Sequence, residues 1–188
     1  MINLSRIGAL SLSVLAFSAA YAAEDTHDHD NEDSEKALAV LRNVDGEIIG
    51  TVNMQDGNAG VLMHVEIEGI APGGHAIHIH ATGSCEPDFK ASHGHINLHE
   101  HQHGLLNPDG PDNGDLPNIY AHSDGSVRAE LLAVGVAVSH AYAEKRGVAE
   151  LLDEDGSAIV VHESPDDHTT QPIGGAGGRI ACGVVHAM

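Results

Sequence analysis

The chain has 188 residues, 16 histidines, two cysteines, no tryptophan and a formal net charge of −20. That charge excludes a nucleic-acid partner, which needs a basic face, and argues against adsorption to anionic lipid. It also repels anions in general, so chemistry on an anionic substrate would need a locally positive entrance.

Arg6 stands in a short, weakly basic start, and an apolar, small-residue run follows from Ile7 to Ala20. Ala20-Tyr21-Ala22 then has the small-x-small pattern of a cleavage site. Residues 1–22 read as a secretory signal peptide, since the run is shorter than the roughly 20 residues a spanning helix needs. No membrane segment is expected after cleavage, and the destination is periplasmic or secreted. Residues 23–35 form an acidic tail with His27 and His29. It has nothing to bury, so it is predicted to be disordered, with metal gathering as a further option.

Residues 36–188 are read as one domain, large enough for one core. Short apolar runs alternate with turn signals. Lys36 to Arg42 is followed by Asp45-Gly46, then Gly46 to Met54, then Asp56-Gly57-Asn58. Val61, Met63, Val65 and Ile67 alternate with Leu62, His64, Glu66 and Glu68, the period of a half-buried strand with His64 outside. His75 to His80 is a strand, and Ala81 to Tyr120 a long loop of the kind usually kept for function. Strands are expected at Ser126 to Val138, Gly147 to Leu152, Ser157 to Glu163 and Arg179 to Val185, with some helix allowed over Ala141 to Leu152. Many short strands with turns between them predict an all-β sandwich or barrel. Cys85 and Cys182, paired in a secreted chain, would close a loop of about 100 residues.

The histidines are informative through their spacing. His78 and His80 sit two apart on a strand, so both imidazoles project from one face while Ile77 and Ile79 face the core. His75 is out of phase with them and reads as a structural histidine. The loop adds His93, His95, His99, His101, His103, Asp112 and Asp115, and His162 ends the apolar run Val160-Val161. Imidazoles drawn from separate strands and a loop suit copper, and a mixed His/Asp set suits zinc. Spacing alone gives a histidine-rich metal site, with neither the metal nor the reaction.

Four segments carry a resemblance: Gly74-His75-Ala76-Ile77-His78-Ile79-His80, Gly114-Asp115-Leu116-Pro117-Asn118, Val161-His162-Glu163 and Gly177-Gly178-Arg179-Ile180-Ala181-Cys182-Gly183. In this order the chain resembles the copper/zinc superoxide dismutases from about Lys36 onward. The resemblance implies an eight-stranded Greek-key β-barrel with two long loops holding the metals. It implies copper on His78, His80, His95 and His162, and zinc on His95, His103 and Asp115, with His95 shared. It also implies a Cys85–Cys182 disulfide, Arg179 beside the copper, and Asp166 hydrogen-bonded to a ligand of each metal. One position departs. The family has a third zinc histidine where this chain has Asp112, so a two-His, two-Asp zinc site is expected. His99 and His101 are candidates to compensate. Otherwise they join His93, His122, His140 and His168 as solvated loop histidines. The activity implied is disproportionation of superoxide, the small-molecule substrate, by copper redox cycling. A copper-only dismutase and a non-enzymatic copper or zinc buffer are the alternatives. The oligomeric state is left open, a homodimer included.

Overall fold

The computed structural model describes residues 35–188. The expected signal peptide and nearly all of the acidic tail, with His27 and His29, lie outside the described residues. Four strands open the domain: β1 (Lys36–Asn43), β2 (Ile48–Gly57), β3 (Gly60–Ile67) and β4 (Gly73–His75). After them come β5 (Ile77–His80), β6 (Ile119–Ala121), β7 (Val127–Ala133) and β8 (Val136–Ala137). Helix α1 (His140–Arg146), β9 (Ala149–Glu150), β10 (Ala158–His162) and β11 (Arg179–Ala187) complete it.

Seven strands form one sheet in the order β5-β10-β11-β1-β2-β3-β7, all neighbours antiparallel. The chain's last two long strands thus return to lie between β5 and β1. The sheet's two edges are joined through a small ladder. β4 leads through Ala76 into β5 and pairs with β6, which turns through His122 and Ser126 into β7. With β4 and β5 taken as one strand broken at Ala76, and the two-residue strands β8 and β9 left aside, the described residues hold eight strands, as expected.

The alternation read in β3 is realised: Val61, Met63, Val65 and Ile67 are buried and His64 is exposed. They pack with Leu41, Val52, Ile77, Ile159, Val161 and Ala181 in one aliphatic core. Strands β5 and β10 differ from the rest of the seven-stranded sheet in being buried on both faces. Ile77, Ile79, Ile159 and Val161 enter the main core, while Ala158 and Val160 join Phe89 and Cys182 in a second cluster on the opposite face. The long loops therefore cover this end of the sheet, and His78 and His80 lie beneath them.

Two expected strands are shortened. The run to Val138 breaks at Gly135, where a Cβ would meet the backbone of Asn113. Asn113 Nδ2–H also donates to the Gly135 carbonyl at 2.8 Å, which ties the metal-loop segment to the barrel. Only Ala149–Glu150 of the run Gly147 to Leu152 is a strand. Gly147, left-handed at φ 65°, caps the short helix α1, whose other end is capped by Ser139.

Candidate metal centre

Backbone pairing builds the centre. The loop runs alongside β5, with His80 bridged to His95 and His78 to Asp115. Ile79 N–H donates to Gly114 and Ile96 N–H to Ile79, so the loop approaches β5 at backbone distance. An alanine at Gly114 would drive its Cβ into the Ile79 carbonyl. On the other side, β10 brings His162, whose N–H donates to Ala76 at 2.9 Å.

Two groups of potential ligands result. One is His78, His80, His95 and His162, and the other is His78, His95, His103 and Asp115, with ligand atoms in each group lying within 4.8 Å of one another. Four buried imidazole nitrogens in the first group have no hydrogen-bond partner: His78 Nδ1, His80 Nε2, His95 Nε2 and His162 Nε2. Leaving such atoms bare in a packed interior is costly, so their convergence marks a position shaped for a cation. The other nitrogen of each ring is occupied. His78 Nε2–H donates to Asp166 Oδ2 at 2.8 Å, His80 Nδ1–H to the His93 carbonyl at 2.8 Å, and His162 Nδ1–H to the Gly177 carbonyl at 3.3 Å. These bonds fix ring orientation and tautomer, as outer partners of metal ligands do.

On its opposite edge His95 faces carboxylates. Its Nδ1 lies 3.1 Å from Asp112 Oδ2 and 3.2 Å from Asp115 Oδ1. His103 Nδ1 lies 4.0 Å from the same Asp112 oxygen and 2.5 Å from Asp115 Oδ1. A tetrahedral zinc with bonds of about 2.0–2.1 Å separates its donors by roughly 3.3 Å; the two His95 contacts lie near that spacing, while Asp112 stands beside the group of four donors that gathers here and not within it.

The electrostatics divide the imidazoles in the same way. Burial pulls His78 down to about 3, with Asp166 opposing, and His80 to about 2, with the charges of His95 and Arg179 adding to the effect. Burial likewise lowers His162 to about 4. These rings are neutral, with lone pairs free to ligate. For His95 and His103, burial is outweighed by hydrogen bonds: to Asp112 and Asp115 for His95, and to Asp115 and Asp166 for His103. His95 is raised, and His103 rises to about 10. Asp115 and Asp166 are held well below the usual carboxylate range by the same histidine partners, against the opposing effect of burial.

Asp166 receives both His78 Nε2–H, at 2.8 Å, and His103 Nε2–H, at 3.1 Å, so one buried carboxylate ties the two groups together. Arg179 donates to the Phe89 carbonyl, to Ser92 Oγ at 3.0 Å and to the His93 carbonyl at 2.6 Å. Its charge reaches His80 and His162. Cys85 and Cys182 form a disulfide with Cα atoms 5.8 Å apart. A cleft of about 640 Å³ beside Val40, Phe89 and the disulfide is lined by none of these ligand histidines.

A family model for copper/zinc superoxide dismutase (SODC) matches residues 48–185. A Cu-Zn superoxide dismutase of Caulobacter vibrioides is 49% identical over 151 residues, 79% of this chain and 84% of that one. Cu-Zn superoxide dismutase 2 of Aquifex aeolicus is 41% identical over 95% of this chain and 96% of its own. The chain belongs to the copper/zinc superoxide dismutase family. Among solved structures, the Cu/Zn superoxide dismutase from Brucella abortus aligns with a TM-score of 0.63 at 27% identity, over 81% of this chain and 100% of that one. A SOD-like protein from Bacillus subtilis aligns at 0.72 with 34% identity, over 78% of this chain and 96% of that one.

Within this superoxide dismutase fold, other histidines fall outside the centre. His75 is buried, with its ring nitrogens 2.8 Å from the His162 carbonyl and 2.7 Å from that of Ala71, the structural role expected of it. His99, His101, His122 and His140 are exposed, and His101 turns to the Pro111 carbonyl. His168 departs from the solvated loop position expected of it. Its ring is 19% exposed, with Nδ1 3.6 Å from Asp166 Oδ2. Its Nε2 accepts from Asn118 Nδ2–H at 3.2 Å. Asn118 also holds the Asp166 backbone at both ends, accepting from its N–H at 2.8 Å and donating to its carbonyl at 2.9 Å. The Asn118 role was missed in sequence, although it closes a segment already quoted for the resemblance.

Proposed function

We propose that this protein is a copper/zinc superoxide dismutase that disproportionates superoxide to oxygen and hydrogen peroxide. The observation that carries the proposal is the set of four buried, unpartnered imidazole nitrogens converging beside a fixed arginine. Copper would be held by His78, His80, His95 and His162, and zinc by His95, His103, Asp112 and Asp115. Copper supplies reversible one-electron chemistry, by which two superoxide anions and two protons become oxygen and hydrogen peroxide.

The chain's own residues do the rest. Arg179 has three acceptors that hold its guanidinium still, so it attracts and orients an anion against the net charge of −20. His95 presents one nitrogen to each ligand group and is the residue to hold and pass a proton, at Nε2. Asp166 keeps His78 and His103 in register. A storage protein has no use for an immobilised arginine beside its histidines, which favours catalysis over buffering. We further assign residues 1–22 to a signal peptide, 23–35 to an acidic tail and 36–188 to the enzyme domain, delivered to the periplasm or outside the cell. The formed disulfide supports that destination.

The test is stopped-flow decay of superoxide by the copper- and zinc-loaded protein, freed of loose copper, against His80→Ala. Fast decay that is lost in the variant is expected. Decay no faster than in the variant, with copper bound, would overturn the assignment.

A further inference from the structure

Asp166 holds His78 and His103, and it is itself held on several sides. Its Oδ1 accepts the backbone N–H of His168 at 2.6 Å. Gly174 forms one wall, where a Cβ would strike that same oxygen. The His168 imidazole forms another. Of the three rings around the carboxylate, those of His78 and His103 are 0% and 2% exposed, and that of His168 is 19% exposed. The carboxylate is fully buried, so His168 is the ring that stands between it and water.

Asn118 fixes where the proton of that ring sits. Its Oδ1 takes the Asp166 N–H at 2.8 Å and its Nδ2 donates to the Asp166 carbonyl at 2.9 Å, so the amide has one orientation only. The remaining Nδ2–H points to His168 Nε2 at 3.2 Å. A ring nitrogen that accepts carries no proton, so the N–H of His168 is at Nδ1. Nδ1 is buried, has no hydrogen-bond partner and lies 3.6 Å from Asp166 Oδ2, the oxygen that receives His78. That distance is too long for a hydrogen bond. It is short enough for the N–H dipole to act on a buried anion, whose field is weakly screened there. A buried donor without an acceptor requires a reason, and the carboxylate supplies it. The backbone is bent to the same end. His168 has a φ of 62°, a left-handed conformation that brings its N–H and its ring to one carboxylate.

We propose that His168 is a positioning residue of the metal centre: its Nδ1–H, fixed by Asn118, steadies Asp166 in the orientation that aims His78 and His103 at their metals. The proposal rests on the assignment of the two metals made above.

Two variants test it. His168→Leu keeps an apolar cover and removes the N–H. His168→Asn puts an amide N–H in the place of Nδ1, and asparagine tolerates a positive φ. In the metal-free protein, NMR follows exchange of the His78 Nε2–H proton with water. His168→Leu is expected to speed this exchange several-fold, and His168→Asn to restore the wild-type rate. In the copper- and zinc-loaded protein, His168→Leu is expected to release zinc to a chelator several-fold faster and to shift the visible copper band. The change in release should fall short of the about 10–100-fold that follows loss of a ligand's direct partner. His168→Asn is expected to restore release and spectrum. A leucine variant that matches wild type in exchange, release and spectrum overturns the proposal. An asparagine variant as perturbed as the leucine one also overturns it, because shape and not the N–H would then decide. Superoxide decay is read on the loaded wild-type sample. A sample that binds both metals yet leaves superoxide untouched refutes the dismutase assignment, while the positioning role is decided by exchange in the metal-free protein.

Discussion

Opening the Cys85–Cys182 bond tests how the loop is held to the barrel. The informative variant pairs Cys85→Ser with Cys182→Ala, because residue 182 is 1% exposed and a serine hydroxyl there would lack a partner. The bond spans 97 residues. For a loop of that size chain entropy gives about 4.7 kcal/mol of stabilisation through the unfolded state. For a domain of this length each kcal/mol moves the melting temperature by about 2–4 °C, so a fall of roughly 10–20 °C is expected. A second effect is local. The segment just after Cys85 supplies the carbonyls of Phe89 and His93 that hold Arg179, and His93 also holds His80. Once freed, it should let the guanidinium wander, and superoxide decay should slow most at low ionic strength, where steering matters most. The assays are thermal melts of metal-free and loaded protein, with stopped-flow decay across a salt series. A fall of less than about 4 °C, one kcal/mol's worth, together with an unchanged salt profile would refute both parts of the reasoning.

Asp166→Asn removes the anion that receives His78 and His103. Zinc affinity should fall by about 10–100-fold, measured by competition with a chelator, with a shift in the visible copper band. Stability of the metal-free protein should peak near pH 6–7. His78, His80 and His162 have folded values of about 3, 2 and 4, below their unfolded value, so the unfolded chain binds more protons in acid and stability falls as pH drops below about 6.5. His103, raised to about 10, works in the opposite sense: its contribution is complete below about 6.5 and is lost as pH rises towards 10. Bound metal should abolish the alkaline limb and steepen the acid one. Urea unfolding across pH, with and without metal, checks both.

Much of this could be read from residue order because the strands obey simple periods. The alternation in β3 and the His-x-His of β5 each fix which side chains share a face. What could not be read is carried by backbone atoms. Arg179 is held mainly by carbonyls of Phe89 and His93, and any residue supplies a carbonyl. The same holds for His162 and the Gly177 carbonyl. His168 looked solvated because nothing local marks it, and its burial depends on Asn118 and Asp166 arriving from elsewhere in the chain. The expected strand after α1 shrank because Gly147 serves the helix as a cap, a competition that period counting does not register.

Strand β5 has a division of labour with a wider consequence. Ile77 and Ile79 serve the core, while His78 and His80 serve the centre. Folding and reactivity are thus written on opposite sides of the same four residues. A lineage could erase its redox chemistry one histidine at a time and keep the same barrel, then put the emptied surface to another use. By the same logic, ligand substitutions make well-folded inert controls, and the barrel becomes a scaffold on which new centres could be installed without renegotiating the interior.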